Sequence, residues 1–575
     1  MSDIRGDKLR FRTRDIVPLH ALPSAQVEDP MIVHCPPRRS VARRCLRGLI
    51  AFIGLWVIVL GGVFAVVESG ALDAALAQRA TTALSNAMGP QYDAKIGRTV
   101  VRFSGGLDVT VDAHDVSVVE AASGQQVAMT QSLSFILEPM ALLGGRFSVR
   151  EIDSQGISLD ARLLPKREPI DLSKFRVDNI PAVLEGAFGE LDRMQGFIAR
   201  GGLDRMRLGG LEVAATSASG RPLTLSIDDL ALERGSDDSL SIFGAISVNG
   251  QQTELTALTT NVGGAVRSMT LRIADFRLTP FMLRRSKAGL ARQGIDGSAE
   301  LVLSAKRDID GQKPEMSLAV NTRAATFYTD GQPQEITRAD LNFAYDFGKD
   351  TIEIADSRAE FGPMILPLSG GLIDLDRLPE GKNFGKGIGI DLLVAKGRAD
   401  VPSSGETAFP FDMKAYGRYL FDGTLLQFDT FDVSTANGKM VSTLQIRFGG
   451  TGPEVKFDGV VENMKAAVVK QLWPYWIADK PRNWVLKNIF GGTVSHGEIS
   501  VFIPQNRLSL EPRPVHLVGD ELRIGFDVVD ARVNLTGDIP PLRDANARFD
   551  MMGERIEVKI KSAASYFPSG RVVAL

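Results

Sequence analysis

Cysteine is nearly missing from this chain: Cys35 and Cys45 are the only two in 575 residues, and both precede a long apolar run. Everything after that run cannot be held by disulfides and must draw its stability from continuous sheet and apolar burial. Histidine is scarce as well. His20 and His34 lie near the N-terminus, and His114, His496 and His516 stand alone, without an H-E-x-x-H or comparable ligand spacing, so zinc hydrolysis has no support. There is no G-x-S-x-G elbow and no cysteine nucleophile after the run. The glycine-rich stretch from Gly381 to Gly387 lacks the spacing, and the Ser or Thr after lysine, of a phosphate loop. Asp308 to Gly311 lacks the ligand ladder and terminal glutamate of a calcium loop. No catalytic residue, cofactor site or metal site is therefore assigned, and the chain reads as a non-enzyme. A concentrated basic face is missing too: the net charge is −3, and Lys and Arg are interspersed with Asp and Glu, so nucleic acid is not an expected partner. Aromatics make up only 7% against 57 glycines, which fits a turn-rich, mainly β chain.

What is present begins with Gly48 to Val67, twenty residues without a charge. At about 1.5 Å per residue a helix of that length covers about 30 Å, the hydrocarbon thickness of a bilayer. Leu49, Ile50, Phe52, Ile53, Leu55, Trp56, Val57, Ile58, Val59, Leu60, Val63 and Phe64 are its predicted anchor residues. Arg38, Arg39, Arg43, Arg44 and Arg47 precede it and Glu68 and Asp73 follow, an asymmetry that keeps the N-terminus in the cytoplasm and exports the remainder. A signal peptide is the rival reading, because Ala75-Leu76-Ala77 has a small-x-small form. The apolar core is longer than the roughly 7–15 residues of such a peptide, however, and a long segment precedes it.

Residues 1–45, proline-bearing and without period, read as a disordered cytoplasmic tail, 46–68 as the transmembrane helix, and 69–90 as an amphipathic helix stopped by Gly89-Pro90. From about Val100 the period becomes two. Leu240 and Ile242, Leu301 and Leu303, then Leu341, Phe343, Tyr345 and Phe347, and finally Leu444, Ile446 and Phe448 each share one face of a predicted strand. Asn249-Gly250, Asp310-Gly311, Asp330-Gly331, Asp422-Gly423, Asn437-Gly438 and Asp458-Gly459 supply hairpin-turn signals, so neighbouring strands are expected to pair antiparallel. Helices are expected around Leu184 to Ile198, over Phe281–Leu290, and over Met464–Leu472 with Trp484–Ile489. Periodicity alone leaves two arrangements open: stacked sandwiches that seal the apolar faces, or one long sheet whose apolar face stays uncovered.

Two segments carry a resemblance. Leu72 to Gly89 leading into strands, with Leu133 to Leu164, resembles the start of the AsmA-like envelope proteins; Gln471 to Val501, holding Trp473-Pro474, Arg482-Asn483-Trp484-Val485 and a Gly-x-Val, is similar to a segment of their long, YhdP-like branch. The resemblance covers the chain from about residue 46 onward, although members of that branch are usually about twice as long. It implies a bridge-like lipid-transport protein: a mainly β chain forming an elongated, twisted antiparallel sheet with an open groove, one N-terminal transmembrane helix and a few short helices. The implied location is the inner membrane, single-pass, with the bulk in the periplasm. The implied partners are phospholipid acyl chains, the inner membrane, and outer-membrane or periplasmic proteins. On this reading residues 91–460 are the β-groove, 461–495 a Trp-rich helical insertion and 496–575 further strands, and the in-phase apolar residues named above line the groove. An alternative from another class is a non-enzymatic scaffold of stacked β-sandwiches assisting outer-membrane protein assembly through strand edges.

Overall fold

The computed structural model describes residues 92–575 apart from 105–107, 122–123, 125, 139–148, 160–175, 202, 217–221, 310, 330, 402–403, 450–451, 475–476, 509, 511–514 and 536–539; before residue 92 it describes 51–55, 58, 62, 78, 81 and 82, all helical. The chain divides into two units, Met1–Ser69 and Gly70–Leu575. In the first, Phe52, Ile53, Leu55 and Ile58 are helical and exposed. The other anchor residues, Leu49, Ile50, Trp56, Val57, Val59, Leu60, Val63 and Phe64, lie outside the described residues, as do 1–45 and most of 69–90. No helix among the described residues is long and apolar enough to cross a membrane.

In the second unit, alternation of apolar and polar residues becomes a single open sheet of 28 strands, not closed into a barrel. Every described strand bonds into this same sheet. From Arg205–Thr216 onward every described pairing is antiparallel and mostly sequential; the exception is mid-chain, where Glu315–Thr322 pairs with Arg338–Asp346 and the hairpin of Ala325–Thr329 with Gln332–Ile336 bonds back to Ala291–Lys306. Asn249 and Gly250 both take positive φ, and Gly311, Gly331 and Gly423 do the same, as tight hairpins require. Two turn signals behave otherwise. Asn437-Gly438 turns at negative φ, and Asp458-Gly459 lies inside the strand Glu454–Lys465, where the missing side chain leaves room for Ser442 and the Phe457 ring.

Bulges bend this sheet at places the alternation did not mark. Register slips between Ile273 and Phe276, between Ile354 and Ser357, and between Val528 and Ala531; the extra residue in each case is an aspartate at positive φ, Asp275, Asp356 or Asp530. Aspartate tolerates the left-handed region better than most residues, and a bulge there increases local twist while returning the next apolar residue to its face.

One pairing among the described residues is parallel: Val149–Leu159 with Arg205–Thr216. Parallel neighbours need a crossover, and helix α1 (Ile180–Gly201) supplies it. It meets Leu240 at the start of one strand, Ala305 near the end of another and Met316 near the start of a third, so it lies along one rim of the sheet. The predicted helix over Phe281–Leu290 shrinks to α2 (Thr279–Met282). Beyond it the chain folds back: Arg284 and Arg285 pair with Gln293 and Ala291 around a turn at Ser286 to Gly289. Helices α3 (Ala466–Leu472) and α4 (Asp479–Asn488) form where Met464–Leu472 and Trp484–Ile489 were expected, but the preceding strand runs on to Lys465 and α4 takes Pro481 into its first turn, where a missing N–H costs nothing. The largest buried cluster is assembled where these two helices rest on the sheet.

Candidate functional site

Cross-strand partners in a sheet share a face, so the register itself traces the apolar surface. Ile242, Ala257, Leu271, Leu303, Leu318, Phe343, Ile354, Gly370, Leu392, Ala415 and Phe431 are successive partners across eleven neighbouring strands. A second row runs Tyr345, Ile352, Leu372, Ile390, Gly417, Phe428, Leu444, Phe457, Val501 and Leu522. Both rows lie on one face.

The structure places the eleven sequence-predicted lining residues in four environments. Leu240 is fully buried against Ile198 of α1, with Ile242 half-buried beside it. Phe347 packs on the cluster formed by Leu184 and Phe188 of α1 and meets the Tyr345 ring edge-on at 4.8 Å. Tyr345 is itself buried; its hydroxyl donates to Asp350 Oδ1 at 3.1 Å, and burial followed by that bond raises its pKa above the ordinary phenol value. Leu301, Leu303, Leu341, Phe343 and Ile446 are half-buried in mid-sheet. Leu444 lines a cavity, and Phe448 lies one residue beyond the strand Lys439–Arg447 and is exposed.

That cavity, of about 390 Å³, lies between α3 and the sheet. Phe457, Val501, Leu522 and Ile524 supply its floor and Val469, Leu472, Trp473 and Ile477 its roof, and every lining residue is apolar. Trp473 is buried and its Nε1 donates to the Ile477 carbonyl at 2.9 Å, which satisfies its polar end; Trp484 is half-buried on the same cluster, while Trp476 lies outside the described residues. Helix α3 is latched to the connection between the strands Gly387–Ala399 and Phe409–Leu420. Lys470 Nζ meets Glu406 Oε1 at 2.6 Å and also donates to the Ile489 carbonyl, and Gln471 bonds the Val401 amide at 3.1 Å and the Thr407 carbonyl at 2.8 Å. Next to this latch, Arg482 of α4 is 4% exposed and donates from Nε to the Trp473 carbonyl at 3.1 Å. Sequence reasoning missed Lys470, Gln471 and Arg482, whose partners lie far off in the chain or on the backbone.

The opposite face is mixed: Phe243, Leu258, Val441 and Val460 are exposed on it among charged residues. A hollow of about 960 Å³ there is bordered by Arg523, Arg548, Asp458 and Glu498, among others. Charges at its edge and beside it neutralise each other: Arg548 bonds Asp550 at 2.9 Å and Asp527 at 2.8 Å, while Lys561 binds Asp527 at 2.9 Å and, with Arg548, holds its carboxyl below the usual range. His516 Nδ1 lies 2.6 Å from Glu554 Oε1 in an exposed pair, and His114 and His496 sit in strands. Among the described residues no group of three His, Cys, Asp or Glu is placed to hold a metal ion. The chain matches no protein-family model, no curated protein and no solved structure.

Proposed function

We propose that this protein is anchored in an inner membrane by Gly48 to Val67 and that the apolar face of its exported sheet is an open groove for phospholipid acyl chains, serving lipid transport or lipid balance between inner and outer membranes. The supporting observation is the eleven-strand row from Ile242 to Phe431: most of its large side chains are half-buried in a single-layered sheet, where a sealed sandwich core would bury them fully. The AsmA-like resemblance of Leu72 to Gly89 and Gln471 to Val501 supplies the two membranes. The contribution of such a groove is physical: each methylene kept from water is stabilised by about 0.8 kcal/mol, which lowers the barrier for a lipid tail to cross an aqueous gap. The helices fit the same picture. Helix α1 borders one rim over the first half of the row. Its lead-in docks at Asp374, at the end of the strand Met364–Asp374, whereas α3 gathers Ala399, at the far end of the next strand, so the two helices border opposite rims.

The test uses cross-strand partners that are both half-buried, Leu318 and Phe343. The full chain carrying Leu318→Asp and Phe343→Asp is expected to keep its β-rich circular dichroism and to lose most of the phospholipid that co-purifies with the unaltered chain, as counted by mass spectrometry. Unchanged lipid content in the folded variant, or no phospholipid on the unaltered chain, would overturn the proposal.

A further inference from the structure

Arg482 is a buried cation without an acid. The single bond of its guanidinium among the described residues is Nε to the Trp473 carbonyl, at 3.1 Å, and no described carboxylate stands within ion-pair reach. Burial, with no neighbouring charge to offset it, depresses the pKa of its guanidinium below the ordinary value. Comparable cations in this protein are answered: Lys470 by Glu406 at 2.6 Å, Arg307 by Asp192 at 2.7 Å and Arg418 by Asp429 at 2.6 Å. An ion removed from water without a counter-ion is penalised by several kcal/mol, so a chain that keeps arginine among apolar neighbours has a use for an anion there. The residue whose carbonyl holds this guanidinium, Trp473, is also a wall of the cavity, which is of the size of small-ligand sites and is lined by apolar residues, Arg482 itself lying outside that lining. A tail-sized apolar space and an unanswered cation therefore meet at one residue.

We infer that Arg482 and the cavity beneath α3 form one binding site for a phospholipid, the guanidinium taking the phosphate and the cavity taking part of an acyl chain. Arginine suits the task because its planar fork of donors matches phosphate oxygens two at a time. This inference rests on the proposed lipid-binding function and names a particular seat within it.

The experiment places a benzophenone side chain at Ile477, in the cavity wall, or at Phe343, in the distant half of the row. Each full-length chain is reconstituted in vesicles of phosphatidylethanolamine and phosphatidylglycerol, irradiated, and its cross-linked lipid identified by mass spectrometry. In the unaltered background both positions are expected to capture phospholipid. R482Q is expected to lower the yield at Ile477 about tenfold, the equivalent of one charge-assisted hydrogen bond, and to leave Phe343 unchanged. Undiminished capture at Ile477 in R482Q, capture at Phe343 with none at Ile477, or a free fatty acid as the species at Ile477 would each overturn this site while leaving the lipid-binding proposal standing. Absence of phospholipid from both positions in the unaltered background would overturn that proposal and this site together. If R482Q unfolds and loses yield at both positions, R482K decides: it keeps the charge but not the fork, so a several-fold fall confined to Ile477 supports the site and an unchanged yield overturns it.

Discussion

Asp374, 2% exposed at the end of its strand, accepts the Val177 amide at 3.0 Å and the Asp178 amide at 2.8 Å and so fixes the start of the α1 segment to the sheet. Asp374→Ala leaves both donors unanswered and is expected to cost about 1–3 kcal/mol in chemical denaturation, with faster hydrogen exchange around residues 177–184 and none around 494–528. Beside it, Arg176 bonds Asp178 at 2.7 Å and Asp376 at 2.9 Å, which holds both carboxyls below their ordinary pKa. A carboxylate with a depressed folded pKa stabilises above its unfolded value, about 3.9, and loses that contribution as pH falls through the folded value. The protection factor at Val177, its exchange divided into the intrinsic rate at each pH, is therefore expected to fall on acidification below about pH 4 and to be flat from pH 5 to 8; an equal response in D178N would show that another group is responsible. None of this was legible in the sequence, because Asp374 and its partners are almost two hundred residues apart and nothing in a local pattern marks a carboxylate as an acceptor for a distant turn.

The α3–α4 pair illustrates what a local pattern does disclose. Apolar spacing from Met464 to Leu472 predicted a helix, and the structure begins it two residues later because Met464 and Lys465 still pair with Val494 and Thr493. The failed helix over Phe281–Leu290 had comparable apolar content, but Gly289 takes φ +82° in a turn and the Phe281 ring stacks on Phe276 at 5.3 Å, so tertiary pairing prevailed over spacing. What pins α3 is the Lys470–Glu406 pair, with the lysine side chain 3% exposed. Glu406→Ala strands a buried ammonium and is expected to destabilise by about 3–5 kcal/mol, whereas the double variant Glu406→Leu with Lys470→Met should recover most of that loss. Urea denaturation of the two variants separates a stranded charge from a loss of shape.

Across the whole molecule, period two marked strands and an apolar face: nine of the eleven predicted lining residues lie in strands, while Phe347 and Phe448 each fall one residue beyond theirs. Whether that face would be covered was not readable, since a strand in a sandwich and a strand in a single sheet alternate identically. The bulges at Asp275, Asp356 and Asp530 escaped for the opposite reason. Each inserts one residue into an otherwise regular alternation, too brief a slip to register as a change of period. Because Asp374 and Glu406 serve different helices and share no partner, Asp374→Ala and Glu406→Ala are expected to add within about 0.5 kcal/mol in the double variant. A larger deviation would mean that the two rims report on each other.

The meander has one more consequence. From Thr351 onward each described strand bonds only to the strands before and after it in the chain, so a hairpin excised between two turns there would leave its neighbours able to rejoin in phase and would shorten the sheet by about 10 Å. Reach thus becomes a quantity that gene duplication or deletion adjusts in fixed increments, as links are added to or taken from a chain, with each remaining link keeping its own neighbours.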